Sequence, residues 1–168
     1  MIRKRLLGDH YALIKMQHYP FVAPRNARER KRRDRHKAVI GVGGNVGDVL
    51  RRFEHLFWFL KRSRSVTLIK SAPILLNPPF GYQNQADFYN TILLVRTSLT
   101  PRELLHYLQH TEKRFRRKRS IKNGPRTLDL DIIFYDDIQI DTEALKIPHP
   151  DWMNRESVLI PLKYLKGR

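Results

Sequence analysis

The segment Gly124-Pro125-Arg126-Thr127-Leu128-Asp129-Leu130-Asp131-Ile132-Ile133-Phe134-Tyr135 sets two carboxylates two residues apart inside an apolar run. That spacing constrains the fold more than any other feature of the chain. Leucines, isoleucines and aromatics in alternation favour a half-buried strand, whose side chains repeat every second residue. Asp129 and Asp131 therefore leave one face together, while Leu128, Leu130, Ile132 and Phe134 enter the core on the other. Their β-carbons stand roughly 7 Å apart, close enough for bare carboxylates to repel, so a cationic partner is expected between them.

Cations lie immediately upstream, where Lys113 to Asn123 holds seven basic residues in eleven. Two readings remain open. In one, the arginines neutralise the aspartates along a solvated edge. In the other, a basic loop and an acidic strand face each other across a site for Mg²⁺ and a polyphosphate, which requires both kinds of group.

The 168 residues suffice for one core and include no cysteine, which excludes disulfides and thiolate metal sites and fits the reducing cytoplasm. No apolar run reaches the roughly 20 residues needed to span a bilayer, and no signal-peptide segment is evident. The formal charge of +17 is uneven: residues 1–37 carry +9 and residues 38–168 carry +8. We expect 1–37 to form a basic N-terminal extension, with Arg25 to Lys37 a solvated helix or disordered. The apolar pieces Tyr11 to Ile14 and Tyr19 to Val22 are available to dock on the main domain, 38–168. The extension's contact with nucleic acid is a minority reading of such a run.

From Ala38 the pattern alternates between strand and helix. Ala38 to Val42 reads as a buried strand, Gly43 to Gly47 as a turn, and Asp48 as the cap of a helix burying Leu50, Phe53, Leu56, Phe57 and Leu60. Val66 to Ala72 is a second strand, and Pro73 to Asp87 a proline-rich loop. Phe88 to Thr97 is a third strand, with Phe88, Asn90, Ile92 and Leu94 opposite Tyr89, Thr91, Leu93 and Val95. Thr100-Pro101-Arg102-Glu103 opens the second helix with a capping box. The order is that of an α+β ferredoxin-like sandwich (βαββαβ), an antiparallel sheet with helices on one face. Such sheets also bind RNA, so a non-catalytic nucleotide- or RNA-binding protein is the alternative. Asp129 and Asp131 in the last strand disfavour an RNA platform.

These residues also resemble a known family. Gly124-Pro125-Arg126-Thr127-Leu128-Asp129-Leu130-Asp131-Ile132 is similar to the signature of the 6-hydroxymethyl-7,8-dihydropterin pyrophosphokinases of folate biosynthesis. The resemblance continues in order through Gly43-Gly44-Asn45, Asn77-Pro78-Pro79-Phe80-Gly81, Asp87-Phe88-Tyr89-Asn90, Gln109 with Glu112, Pro148-His149 and Asn154-Arg155. It implies transfer of pyrophosphate from ATP to the pterin alcohol, with two Mg²⁺ ions held by Asp129 and Asp131.

It further implies that Asn77, Pro78, Phe80, Phe88, Asn90 and Asp129 bind the pterin. ATP would meet Gln109, Glu112, Arg116, Arg119, Lys122, Arg126, Ile132, His149 and Arg155, with Arg117 and Arg126 acting in catalysis beside the two aspartates. The chain departs from the pattern at Ser157, where a second stacking aromatic is usual; Trp152 and Phe80 are the candidate replacements. Lys122 and Asn123 stand where an arginine and a tryptophan often occur.

Overall fold

The computed structural model describes residues 1–25, 34–116 and 121–166. In chain order the elements are β1 (Arg3–Leu6), β2 (Ala12–Lys15), β3 (Phe21–Val22), β4 (His36–Gly44), α1 (Val49–Lys61), β5 (Val66–Ser71) and β6 (Ile74–Asn77). They continue with β7 (Phe88–Thr97), α2 (Pro101–Arg114), β8 (Asp129–Tyr135), β9 (Ile140–Asp141), β10 (Lys146–Ile147), a 3-10 turn at Trp152–Asn154 and α3 (Glu156–Lys166). The result is a mixed α/β fold on an antiparallel sheet, ordered β1-β2-β6-β7-β4-β8 with β5 beside β7 and β3 beside β5.

Both early helices start as their sequences dictate. The Asp48 carboxylate accepts from the Arg51 N–H at 3.0 Å, and Thr100 and Glu103 close a reciprocal capping box. Val49, Phe53, Leu56, Phe57 and Leu60 of α1 and Leu104 and Leu108 of α2 pack with Ile40, Val42, Leu93, Val95, Leu130 and Ile132 in the main core.

A second apolar cluster lies across the sheet. Ile92 and Ile133 pack there with Val158, Leu162 and Leu165 of α3, whereas Leu93 and Ile132 belong to the main core. Neighbours on a strand point to opposite faces, so α3 covers the face that α1 and α2 leave open. Helices on one face only is thus corrected: the sheet is covered on both, because the apolar side chains of residues 158–165 supply a third amphipathic helix.

Three other expectations change. β4 runs on through Gly43 and Gly44, which pair with Asn90 and Tyr89 instead of turning. Within the supposed loop after Pro73, β6 continues along the same side of β7, with Ile74 and Leu75 buried; proline breaks the strand without ending it. In β8 the register slips where Val39 faces Phe134 and Ile40 faces Ile132, and this bulge inverts the pleat beyond Ile133. Phe134 consequently joins the α3 side and Tyr135 enters the main core.

The N-terminal segment is built into the sheet. β2 pairs with β6 from Ala12↔Leu76 to Ile14↔Ile74, and β3 pairs with β5. Leu13 and Tyr19 are almost fully buried, and the Tyr19 hydroxyl donates to the Phe53 carbonyl at 2.8 Å. Residues 11–22 therefore shield what would otherwise be the unpaired edges of β5 and β6. Asn26 to Arg33 of the basic run lie outside the described residues.

Leu13→Ala should lower unfolding free energy by about 2–5 kcal/mol, as expected for a fully buried leucine. Leu6→Ala, at an exposed position, should change it by no more than about 0.5 kcal/mol. Urea denaturation followed by circular dichroism measures both.

Candidate active site

The site grows from one face of three adjacent strands. Gly43 of β4 lies opposite Asn90 of β7 on one side and Asp129 of β8 on the other; Gly41 lies opposite Ile92 and Asp131 in the same way. Directly opposed residues share a face, so two rows form, an amide and a carboxylate flanking one glycine and an isoleucine and a carboxylate flanking the other. Adjacent strands are about 4.8 Å apart, which puts Asn90 and Asp129 about 10 Å from each other across a floor without side chains. A β-carbon on Gly43 would come within 2.6 Å of Asn90 Oδ1.

The cavity over this floor is lined by Asn77, Phe80, Phe88, Asn90, Asp129 and Asp131, with His149, Arg155 and Ser157 on its rim. Asn90 Nδ2 donates to Asn77 Oδ1 at 2.7 Å, and Asn77 Nδ2 donates to the Pro78 carbonyl at 2.8 Å. This chain of amides leaves Asn90 Oδ1 facing Gly43 as an acceptor. Phe80 and Phe88 supply the aromatic rings among the described lining residues. Phe80 is exposed, and the Arg155 guanidinium lies 5.1 Å from its ring centre. Trp152 instead packs edge-on against Phe134 at 4.9 Å, so of the two candidates to replace the aromatic missing at Ser157, Phe80 is the one in the cavity.

A second, adjoining cavity of about 570 Å³ is lined by Gln109, Glu112, Lys122, Arg126, Asp129, Asp131, His149 and Arg155. Basic groups and two acids thus meet where the two cavities join. Arg126 forms an ion pair with Asp129. Its backbone is fixed separately: Asn45 Oδ1 accepts from the Arg126 N–H at 2.9 Å, and the Asn45 N–H donates to the Arg126 carbonyl at 2.9 Å. Glu112 is buried and accepts from the outward Leu130 N–H at 2.7 Å, anchoring the edge strand to α2. Arg155 Nε is buried without a hydrogen-bond partner among the described residues, as a donor awaiting an anionic ligand would be.

His149 Nδ1 accepts from the Asp151 N–H at 3.3 Å, which leaves Nε2–H as the donor. Burial, and then the Arg155 charge, push its pKa below the ordinary 6.5.

Among the described residues no group of three histidine, aspartate or glutamate side chains gathers as a metal cage. Two carboxylates on one strand face suit Mg²⁺, which typically takes one or two protein carboxylates and completes its shell with phosphate and water.

Not every expected residue reaches the site. The Ile132 side chain is 4% exposed and packs in the main core, the consequence of a period-two strand whose even positions point away from the aspartates. Arg116 lines a different groove, between α1 and α2. Arg117 and Arg119 lie outside the described residues. Gly41, Gly43, Asn45 and Asn123 belong to the site or its support without having been assigned roles. Their signal was present in Gly41-Val42-Gly43, glycines at strand spacing, which mark a close approach to the backbone.

The family model described as 7,8-dihydro-6-hydroxymethylpterin-pyrophosphokinase (HPPK) matches residues 39–167. A 2-amino-4-hydroxy-6-hydroxymethyldihydropteridine pyrophosphokinase of Helicobacter pylori is 40% identical over 129 residues, 76% of this chain and 79% of that protein. The protein of the same name from Campylobacter jejuni is 35% identical over 148 residues, 88% of this chain and 91% of its own length. That of Bacillus subtilis is 39% identical over 125 residues, 74% of this chain and 75% of that protein.

Between the lowered pKa of His149 and about 6.5, the unfolded chain binds a proton that the folded chain excludes, so stability should rise with pH across that window. His149→Gln should flatten this part of the profile. Urea midpoints measured from pH 5 to pH 7.5 check it.

Proposed function

The chain belongs to the 7,8-dihydro-6-hydroxymethylpterin-pyrophosphokinase family, and we infer from this how its own residues carry the reaction. It is an ATP-dependent pyrophosphokinase of folate biosynthesis, transferring pyrophosphate to hydroxymethyldihydropterin. In that reaction a bond forms between the pterin hydroxymethyl oxygen and the β-phosphorus. The β-phosphorus bond to the α,β-bridging oxygen breaks, AMP leaves with that oxygen, and the hydroxyl proton is released.

The observation that carries the residue assignment is the pair of rows across Gly41 and Gly43, which sets a pterin-reading amide and two acidic side chains on opposite sides of a bare floor. The pterin lies over this floor. Asn90 and Asn77 present both donors and acceptors to its mixed edge, the backbone about Pro78 completes the reading, and Phe80 and Phe88 cover its faces. The triphosphate occupies the adjoining cavity, where Lys122, Arg126, His149 and Arg155 offer N–H donors and Gln109 and Glu112 form the α2 wall.

Asp129 and Asp131 hold the divalent cation, a pair of Mg²⁺ ions in our reading, which when bound neutralises phosphate charge and aligns the reacting groups. No side-chain nucleophile is needed, because positioning and electrostatics supply most of the rate in phosphoryl transfer. Arg117 keeps its proposed part in catalysis and Arg119 its proposed contact with ATP. The protein acts in the cytoplasm; no described helix is long and apolar enough to cross a membrane.

Purified chain should form AMP from ATP only when the pterin alcohol is present. Asp129→Ala and Asp131→Ala should each lower kcat by about 10³-fold or more, equivalent to ~4 kcal/mol of transition-state stabilisation. AMP release that ignores the pterin would overturn the reading. Gly43→Ala should displace the Asn90 amide, since the clash is with the end of a flexible side chain. The expected result is a KM for pterin raised about tenfold, with the KM for ATP nearly unchanged. Steady-state kinetics with each substrate varied in turn separates the two.

A further inference from the structure

A concavity larger than either cavity of the active site lies elsewhere on the molecule. It is a groove of about 1190 Å³ between α1 and α2, on the face of the sheet opposite the aspartates. Small-molecule sites seldom exceed about 1,000 Å³, so its size suits a chain-like ligand. Among the described residues that line it, six are arginines and Asp48 is the only acid, its carboxylate already capping α1.

Arg51, Arg62, Arg64 and Arg114 are exposed. Aromatic rings are interleaved with these charges. Trp58 is 45% exposed and is held by edge contacts to Phe57 and His18. The Arg114 guanidinium lies 5.4 Å from the Phe59 ring, and Phe59 leans on Tyr107 and Phe115. None of Trp58, Phe59, Arg62 or Arg114 takes part in the pyrophosphoryl-transfer site.

We propose that this groove binds single-stranded nucleic acid, with the arginines along the phosphates and Trp58 as a stacking platform for a base. A cluster of guanidiniums recognises a polyanion, and half-exposed rings among them suit a ligand with a flat face at every repeat. An acidic peptide carries its charges without a ring at every repeat. A second copy of the chain would bring like charge to like charge. An anionic membrane needs a convex or flat surface, whereas this one is concave. The inference stands whether or not the chain turns over pterin.

The test uses the full chain and a fluorescein-labelled twelve-residue oligouridylate, followed by anisotropy. Binding should weaken about tenfold in Trp58→Ala. In the double variant Arg62→Ser and Arg114→Ser, the slope of log K against log salt should fall in magnitude by about 1.4. Pterin-dependent AMP formation should be unchanged in both.

A Trp152→Phe variant leaves Trp58 as the single tryptophan, and its fluorescence should be quenched on addition of oligouridylate. Binding that persists undiminished in the groove variants would overturn the proposal and assign it to the basic run at residues 25–37. Displacement of the oligonucleotide by MgATP would likewise assign it to the active site. Capture of phosphatidylserine vesicles without any oligonucleotide binding would overturn it in favour of a membrane.

Discussion

The rest of the site depends on the register of three strands. Because β4 faces β7 and β8 with glycine at positions 41 and 43, the sheet has a strip without side chains bordered by Asn90 and Ile92 on one side and Asp129 and Asp131 on the other. A slip of one residue between β4 and β8 would turn the acids into the main core and Leu130 out of it, and one between β4 and β7 would turn Asn90 away from the strip. The apolar residues that alternate with the acids, Leu130 and Ile132, hold that register by packing beneath α1 and α2. Core and catalysis are thus two faces of the same pleat, and neither can move without the other.

Around this strip the supporting bonds are mostly between backbone and amide. Asn45 fixes both backbone groups of Arg126, Glu112 holds the Leu130 N–H, and Gln85 Nε2 ties the Asn123 carbonyl at 2.7 Å while its Oε1 accepts from Asn45. Apart from the Glu112 carboxylate, such contacts set position without adding charge. Arg155 pairs through Nη2 with Asp151 at 3.2 Å, while its Nε, without a hydrogen-bond partner among the described residues, is left as a donor for a ligand.

Much of this was legible because periodicity is local. The face of β7 carrying Phe88, Asn90 and Ile92 and the caps at Asp48 and Thr100 follow from spacing alone. What escaped had causes outside the local pattern. The bulge opposite Val39 and Ile40 inverts Phe134 and Tyr135, and no alternation within β8 announces a slip that belongs to a pair of strands. β6 hides behind Pro73, a residue that reads as loop until a partner strand appears. The glycines of β4 read as a turn because their φ freedom was weighed before their lack of a side chain. Arg116 was assigned by resemblance, which does not tell which side of α2 the chain leaves from; it lines the groove between α1 and α2.

The short N-terminal strands show why a segment beyond the matched family residues still bears on the site. β2 lies against β6, and β6 ends at Asn77, whose amide holds Asn90. The Glu156 carboxylate at the start of α3, the helix that closes the second face, pushes up the pKa of Tyr11, just before β2. The arm therefore pairs with β6, the strand that ends at Asn77 in the cavity wall, without entering the cavity. Its apolar residues cover an edge, and its Tyr11 answers electrostatically to Glu156 of α3. The placement of Asn77 is consequently a property of residues 12–14 as much as of the site itself, which joins the covering of a strand edge to the position of a cavity wall.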